Sequence, residues 1–98
     1  MVEDALGNVV FVGVKDIRAY VFAVTTQASM NKIVTIKARG KSISKAVDVS
    51  QISVNRFLQG WEVGEIQIGT DDRPQTEEPH EGGQRVSFIN IELKKKGV

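Results

Sequence analysis

Hydrophobic spacing changes period along this chain, and each change marks an element. Residues 8–14 are apolar at nearly every position, as in a strand buried on both faces. Asp16 stands where an N-cap would, and Ile17, Tyr20, Val21, Val24 and Ala28 follow at helical spacing, which predicts a helix ending near Met30 and Asn31. The β-branched, apolar run Ile33, Val34, Thr35, Ile36 predicts a strand over 33–38. It closes a β-α-β unit whose default geometry is parallel, with a right-handed crossover. A second helix over about 42–58 places Ile43, Ala46, Val47, Val54, Phe57 and Leu58 on one stripe, the expected core face. Val49 and Ile52 fall outside it, on the side of Lys45 and Arg56.

Gln59 and Gly60 end that helix. Trp61, Val63, Ile66 and Ile68 change phase across Gly64 and Glu65, so a third strand either bulges or begins there. A fourth strand over 86–93 puts Ile89, Ile91 and Leu93 on one face, with Val86, Phe88, Asn90 and Glu92 on the other. Residues 71–84, with two prolines, paired glycines and polar neighbours, read as an exposed, mobile hairpin arm. Residues 1–7 read as a short mobile start, and Lys94, Lys95 and Lys96 as a basic tail. The order is β-α-β-α-β-β, an α/β chain without internal repeats.

Length and composition set the limits. The 98 residues, 41% of them hydrophobic, suit one domain over 1–98 with one core. No apolar run approaches the roughly 18 residues of a membrane span, and the acidic start with Glu3 and Asp4 is unlike a signal peptide. Absence of cysteine removes disulfides and thiolate metal sites and suits an intracellular protein. The net charge of +1 conceals a segregation: residues 15–58 carry eight cations against two acids, whereas 59–98 carry five against eight. A basic middle between acidic flanks points to a polyanion-binding face.

The cations concentrate where the second strand gives way to the second helix. Lys37, Arg39, Lys41 and Lys45 surround Gly40. Lys37 and Arg39 share one face of an extended chain, Gly40 frees the backbone for a tight turn, and Ser42 or Ser44 can cap the helix. Lysines beside a helix N-terminus form an anion site, and a nucleic-acid backbone is the natural anion for several of them. On charge alone, a solvated helix rim remains an equal alternative. His80 among Glu77, Glu78 and Glu81 lacks the preorganisation of a metal site, so no metal is expected. No nucleophile–base pair, P-loop or dinucleotide fingerprint is present, so neither catalysis nor a cofactor is expected. A nuclease built from the arm's acids and His80 is the weakest reading.

Residues 39–48, Arg-Gly-Lys-Ser-Ile-Ser-Lys-Ala-Val-Asp, closely resemble the "RGxxISKAVD" segment of the Alba proteins, small archaeal proteins that coat DNA and RNA. Residues 8–13 resemble the family's first strand, 55–58 the end of its second helix, and 85–91 its last strand, in the same order and spacing. The resemblance implies a two-layer sandwich, with a four-stranded mixed sheet and two helices, built into two-fold dimers. It further implies a largely sequence-independent protein that binds double-stranded DNA, and RNA as well, and organises chromatin as a cytoplasmic, nucleoid-associated homodimer without catalysis. Lys15, Lys37, Arg39, Gly40, Lys41, Ser42, Ser44 and Lys45 would then form the nucleic-acid site, with Arg73 and Arg85 at the base of the arm. Val49 and Ile52, outside the core stripe, become subunit contacts, with Phe88 on the second face of the last strand. Asn55, Arg56 and Phe57 match a helix end that joins dimers along nucleic acid. Lys15 corresponds to the second of a lysine pair whose leading position is Val14 here, so an acetylation switch at that position looks absent.

The arm departs from the family. Asp71, Asp72, Glu77, Glu78 and Glu81 face only Arg73 in residues 71–84, where relatives usually carry arginines. Two further readings follow: a minor heterodimer partner of a more basic Alba paralogue that modulates filament packing, or a subunit of a ribonuclease P-type RNA-processing particle.

Overall fold

The computed structural model describes residues 5–6, 8–73 and 84–97. Its strands are β1 (Ala5–Leu6), β2 (Val9–Val12), β3 (Ile33–Arg39), β4 (Trp61–Arg73) and β5 (Gln84–Lys95), and its helices are α1 (Ile17–Ala28) and α2 (Ile43–Ile52). A 3-10 turn over Gly40–Ser42 leads into α2, and a π-helical turn over Ser53–Phe57 leads out of it. The sheet order is β1-β2-β3-β5-β4. β2 and β3 are parallel, joined by α1 as the β-α-β pattern predicts, and all other pairs are antiparallel. The expected four-stranded mixed sheet and two helices are present. Ala5–Leu6, expected as part of a mobile start, adds a two-residue antiparallel strand at the edge.

One face of the sheet is covered. Val10 and Val12 of β2, Val34, Ile36 and Ala38 of β3, and Ile89, Ile91 and Leu93 of β5 are buried together with Tyr20, Val21 and Val24 of α1 and Ala46 and Val49 of α2. Among the described residues no helix covers the opposite face, so β2 is not buried on both sides as its composition suggests. Phe11 points away from the core and is 43% exposed.

Helix α2 is turned relative to the expected stripe. Its buried positions are Ala46, Val49 and Ser50, with Ser53 one turn further, at i, i+3, i+4 and i+7. Apolar residues alone placed the centre less than one residue's step (about 100°) away, because two serines belong to the packed side. Ser50 Oγ donates to the Val47 carbonyl at 2.7 Å, so burying that hydroxyl leaves it paired. Val49 is therefore core, at 0% exposure, and Val47 faces outward. In the π-helical turn the Leu58 N–H donates five residues back to the Ser53 carbonyl at 2.8 Å, which shifts the phase once more and leaves Phe57 outside.

The phase change in the third strand is a bulge. Register between β4 and β5 shifts between Val63 and Ile66. The carboxylate of Glu92 fills the space above Gly64 and accepts the freed Glu65 N–H at 3.1 Å. Both long strands extend further than expected: β4 runs into the arm as far as Arg73, and β5 takes in Lys94 and Lys95.

Candidate nucleic-acid interface

Parallel strands end on the same side of a sheet, so the segments following β2 and β3 are neighbours. The first brings Lys15, and the second brings Gly40, Lys41 and Ser42 directly after Arg39, the last residue of β3. Gly40 has φ +55°, a left-handed conformation that a side chain disfavours. Nothing lies within 4 Å of where its Cβ would stand, so the requirement is conformational and not steric. Lys41 and Ser44 are exposed and Ser42 is half-buried. Ser42 occupies the N-cap of α2 in a helical conformation and makes no capping bond, and Ser44 lies inside the helix, so neither expected cap forms. The 3-10 turn replaces it. Asp16 likewise holds the N-cap position of α1 without capping, and its carboxylate accepts from Arg18 Nε at 3.0 Å instead.

Lys45 has an internal role that its charge does not announce. Its ammonium donates to the carbonyls of Gly13 (3.1 Å) and Lys15 (2.7 Å) and lies 5.9 Å from the centre of the Tyr20 ring. Buried Tyr20 accepts the N–H groups of Gly13 (2.9 Å) and Lys15 (3.0 Å) on its hydroxyl. The loop that carries Lys15 is thus fixed by α1 and α2 together.

Lys37 and Arg39 share the open face of β3, as alternation predicts. Arg39 is not alone there: its guanidinium donates to Asp71 of β4 at 2.7 Å, a half-exposed ion pair that takes one acid of the expected arm out of the count. Arg85 is exposed on β5 opposite Asp72. Arg73 pairs through its backbone with Gln84. Its side chain, and residues 74–83 with Glu77, Glu78, His80 and Glu81, lie outside the described residues, as does the tip of the arm. Among the described residues, no group of three potential metal ligands occurs, and no helix is long and apolar enough to cross a membrane.

A family model described as Alba matches residues 8–70. The chain belongs to the Alba family. Similar relatives include the DNA/RNA-binding protein Alba of Methanocella arvoryzae, 42% identical over 94 residues, which are 95% of this chain and 90% of that one. The DNA/RNA-binding protein Alba 1 of Archaeoglobus fulgidus is 44% identical over 90 residues, covering 91% of this chain and 97% of that protein. The solved structure of Alba from Thermoplasma volcanium matches with a TM-score of 0.77 at 39% identity, over 90% of this chain and 100% of that one. The resemblance and the fold read from residues 39–48 and the element order are borne out.

The residues expected at contacts between Alba subunits are dispersed. Val49 presents nothing outward, because α2 turns it into the core. Ile52 is half-buried against the core, and Asn55 and Arg56 are exposed. Phe57, placed on the core stripe by spacing, is 59% exposed and shares a shallow apolar groove with Ile17, Val21, Phe22 and Ile52. Phe88 lies on the open sheet face over Gly69. Sequence reasoning missed Phe22, which is 72% exposed on α1, and Ile68, 77% exposed on β4. The signal for Phe22 was an aromatic off the helical stripe. For Ile66 and Ile68 the sequence carries no such signal: only the register, which pairs them with Ile91 and Ile89, puts them on the helix side of the sheet.

Proposed function

We propose that this Alba chain is a dimeric architectural protein of the archaeal nucleoid that binds double-stranded DNA largely irrespective of sequence, and RNA as well. The observation that carries the reading is the convergence of Lys15 and Lys41, from two adjacent connections, with Arg39 at the end of β3, all at one end of the sheet beside the start of α2. Such a cluster meets phosphates, positions the protein without reading bases, and gains its free energy from counterion release. Relatives named DNA/RNA-binding proteins support it. Dimerisation fits the apolar surface of Ile66 and Ile68 on edge strand β4, which a second copy would cover. Two copies would set two basic ends side by side.

A duplex-binding titration across a salt series tests this. The expected result is a linear fall of log affinity with log salt, indifferent to sequence, with a slope that flattens by about 0.9 for each phosphate contact removed, beginning with Lys41→Ala. Salt-independent binding would overturn it.

A second reading, a heterodimer partner that moderates a more basic paralogue, is favoured by one observation: Asp71 already neutralises Arg39. Binding that tightens only after such a paralogue is added would select it.

A further inference from the structure

The open face of the sheet carries an arrangement that phosphate binding at the strand ends touches only through Arg39. Register sets Phe11 opposite Lys37, Lys37 opposite Asn90 and Asn90 opposite Gln67, in a row across four strands. In the next row Arg39 lies opposite Phe88, and Phe88 opposite Gly69. Phe11, Phe88, Lys37, Arg39 and Asn90 line one open groove, with Asp71 at its rim paired to Arg39. Gly69 makes room for the ring of Phe88: a Cβ there would stand 2.5 Å from its Cζ. No helix among the described elements covers this side, since the core lies on the other.

Two aromatic rings on a surface with two cations between them are poorly explained as core and well explained as a platform. Neighbouring strands are about 4.8 Å apart and successive rows about 6.7 Å, so the positions of Phe11 on β2 and Phe88 on β5, with β3 between them and one row of offset, lie about 12 Å apart. That spacing seats two bases separately, with Lys37 and Arg39 beneath the linking phosphates and the Asn90 amide within reach of a base edge. Stacking requires exposed base faces, which a duplex keeps inside its own stack. We propose that this face binds single-stranded nucleic acid by stacking unpaired bases on Phe11 and Phe88. The inference rests on the reading of the chain as a nucleic-acid binder but assigns the unpaired bases to the open sheet face, which shares only Arg39 with the duplex site.

The test uses the full chain, with oligouridylate and oligothymidylate as single strands and a duplex of mixed sequence, read by fluorescence anisotropy. Phe11→Leu and Phe88→Leu keep apolar bulk and remove the ring. Together they should weaken single-strand binding by about tenfold or more while leaving duplex binding unchanged. Bromouridine-substituted strands should photocrosslink to peptides containing Phe11 or Phe88 in the wild type, a readout that does not depend on a variant folding. Unchanged single-strand affinity with crosslinks elsewhere would overturn the platform and leave the duplex reading standing. Loss of all binding by the wild type, duplex included, would instead overturn the functional reading itself. A double variant that turns monomeric while the wild type is dimeric would assign the face to a second copy and overturn the platform too.

Discussion

Tyr20 and Lys45 grip the same loop from two sides. The tyrosine hydroxyl takes the N–H groups of Gly13 and Lys15, and the lysine ammonium takes the carbonyls of the same two residues. Backbone polarity that the β2–α1 connection would otherwise leave to water is satisfied by side chains, and Lys15 is held at a fixed place beside the turn after β3.

Tyr20→Phe keeps the ring and removes the acceptor. Two partly buried N–H groups then lose their partner, at a cost of about 1–3 kcal/mol. Urea denaturation should register that loss, and duplex affinity should fall because Lys15 is no longer held. Unaltered stability would mean that water replaces the hydroxyl without penalty.

Lys41 and Lys45 should separate, although both sit in the basic segment. Lys41→Ala should lower affinity and flatten the salt dependence with stability nearly unchanged, because Lys41 is exposed. Lys45→Met keeps the stem but loses two charge-assisted bonds, so both stability and affinity should drop. Equal behaviour of the two variants in denaturation would contradict the bracing role.

Asp71→Asn should tighten duplex binding, most at low salt, by releasing Arg39 from its carboxylate. The pair is half exposed, so the change in folding stability should stay within about 1 kcal/mol. An unchanged affinity at low ionic strength would place Arg39 away from the nucleic acid.

The apolar surfaces around Ile68 and around Phe57 make different predictions for assembly. Ile68→Glu on β4 should dissociate a dimer in light scattering, whereas Phe57→Glu should leave the dimer intact and abolish the association of dimers on DNA. The groove that Phe57 shares with Phe22 lies on the helices and not on the edge strand, so the two effects are separable. A wild-type monomer at micromolar concentration would refute both.

Periodicity and family resemblance made the element order, the parallel β2–β3 pair and the core face of β5 legible from the chain alone. What escaped them has specific physical causes. A hydrophobic stripe cannot count Ser50 and Ser53 as buried, so it misplaced Val49 and Val47. The extra residue of the π-helical turn then turned Phe57 out of the core. An apolar run as short as residues 9–12 does not reveal whether one face or two are covered, which hid Phe11. Charge alone could not distinguish Lys41, turned to solvent, from Lys45, turned to two carbonyls, or foresee that Asp71 would reach Arg39 from a strand 32 positions further along.

The last strand of the chain is an inner strand of the sheet: β5 lies between β3 and β4. During synthesis β4 therefore leaves the ribosome before the strand it pairs with exists, and one edge of β3 stays open until residues 84–95 have emerged. The sheet is completed by insertion at the centre and not by growth at an edge, so deleting residues 84–95 would split it. Nascent copies on one messenger carry the same vacant slot and, soon after, the strand that fits it. Exchange of β5 between neighbours is the misassembly this topology invites.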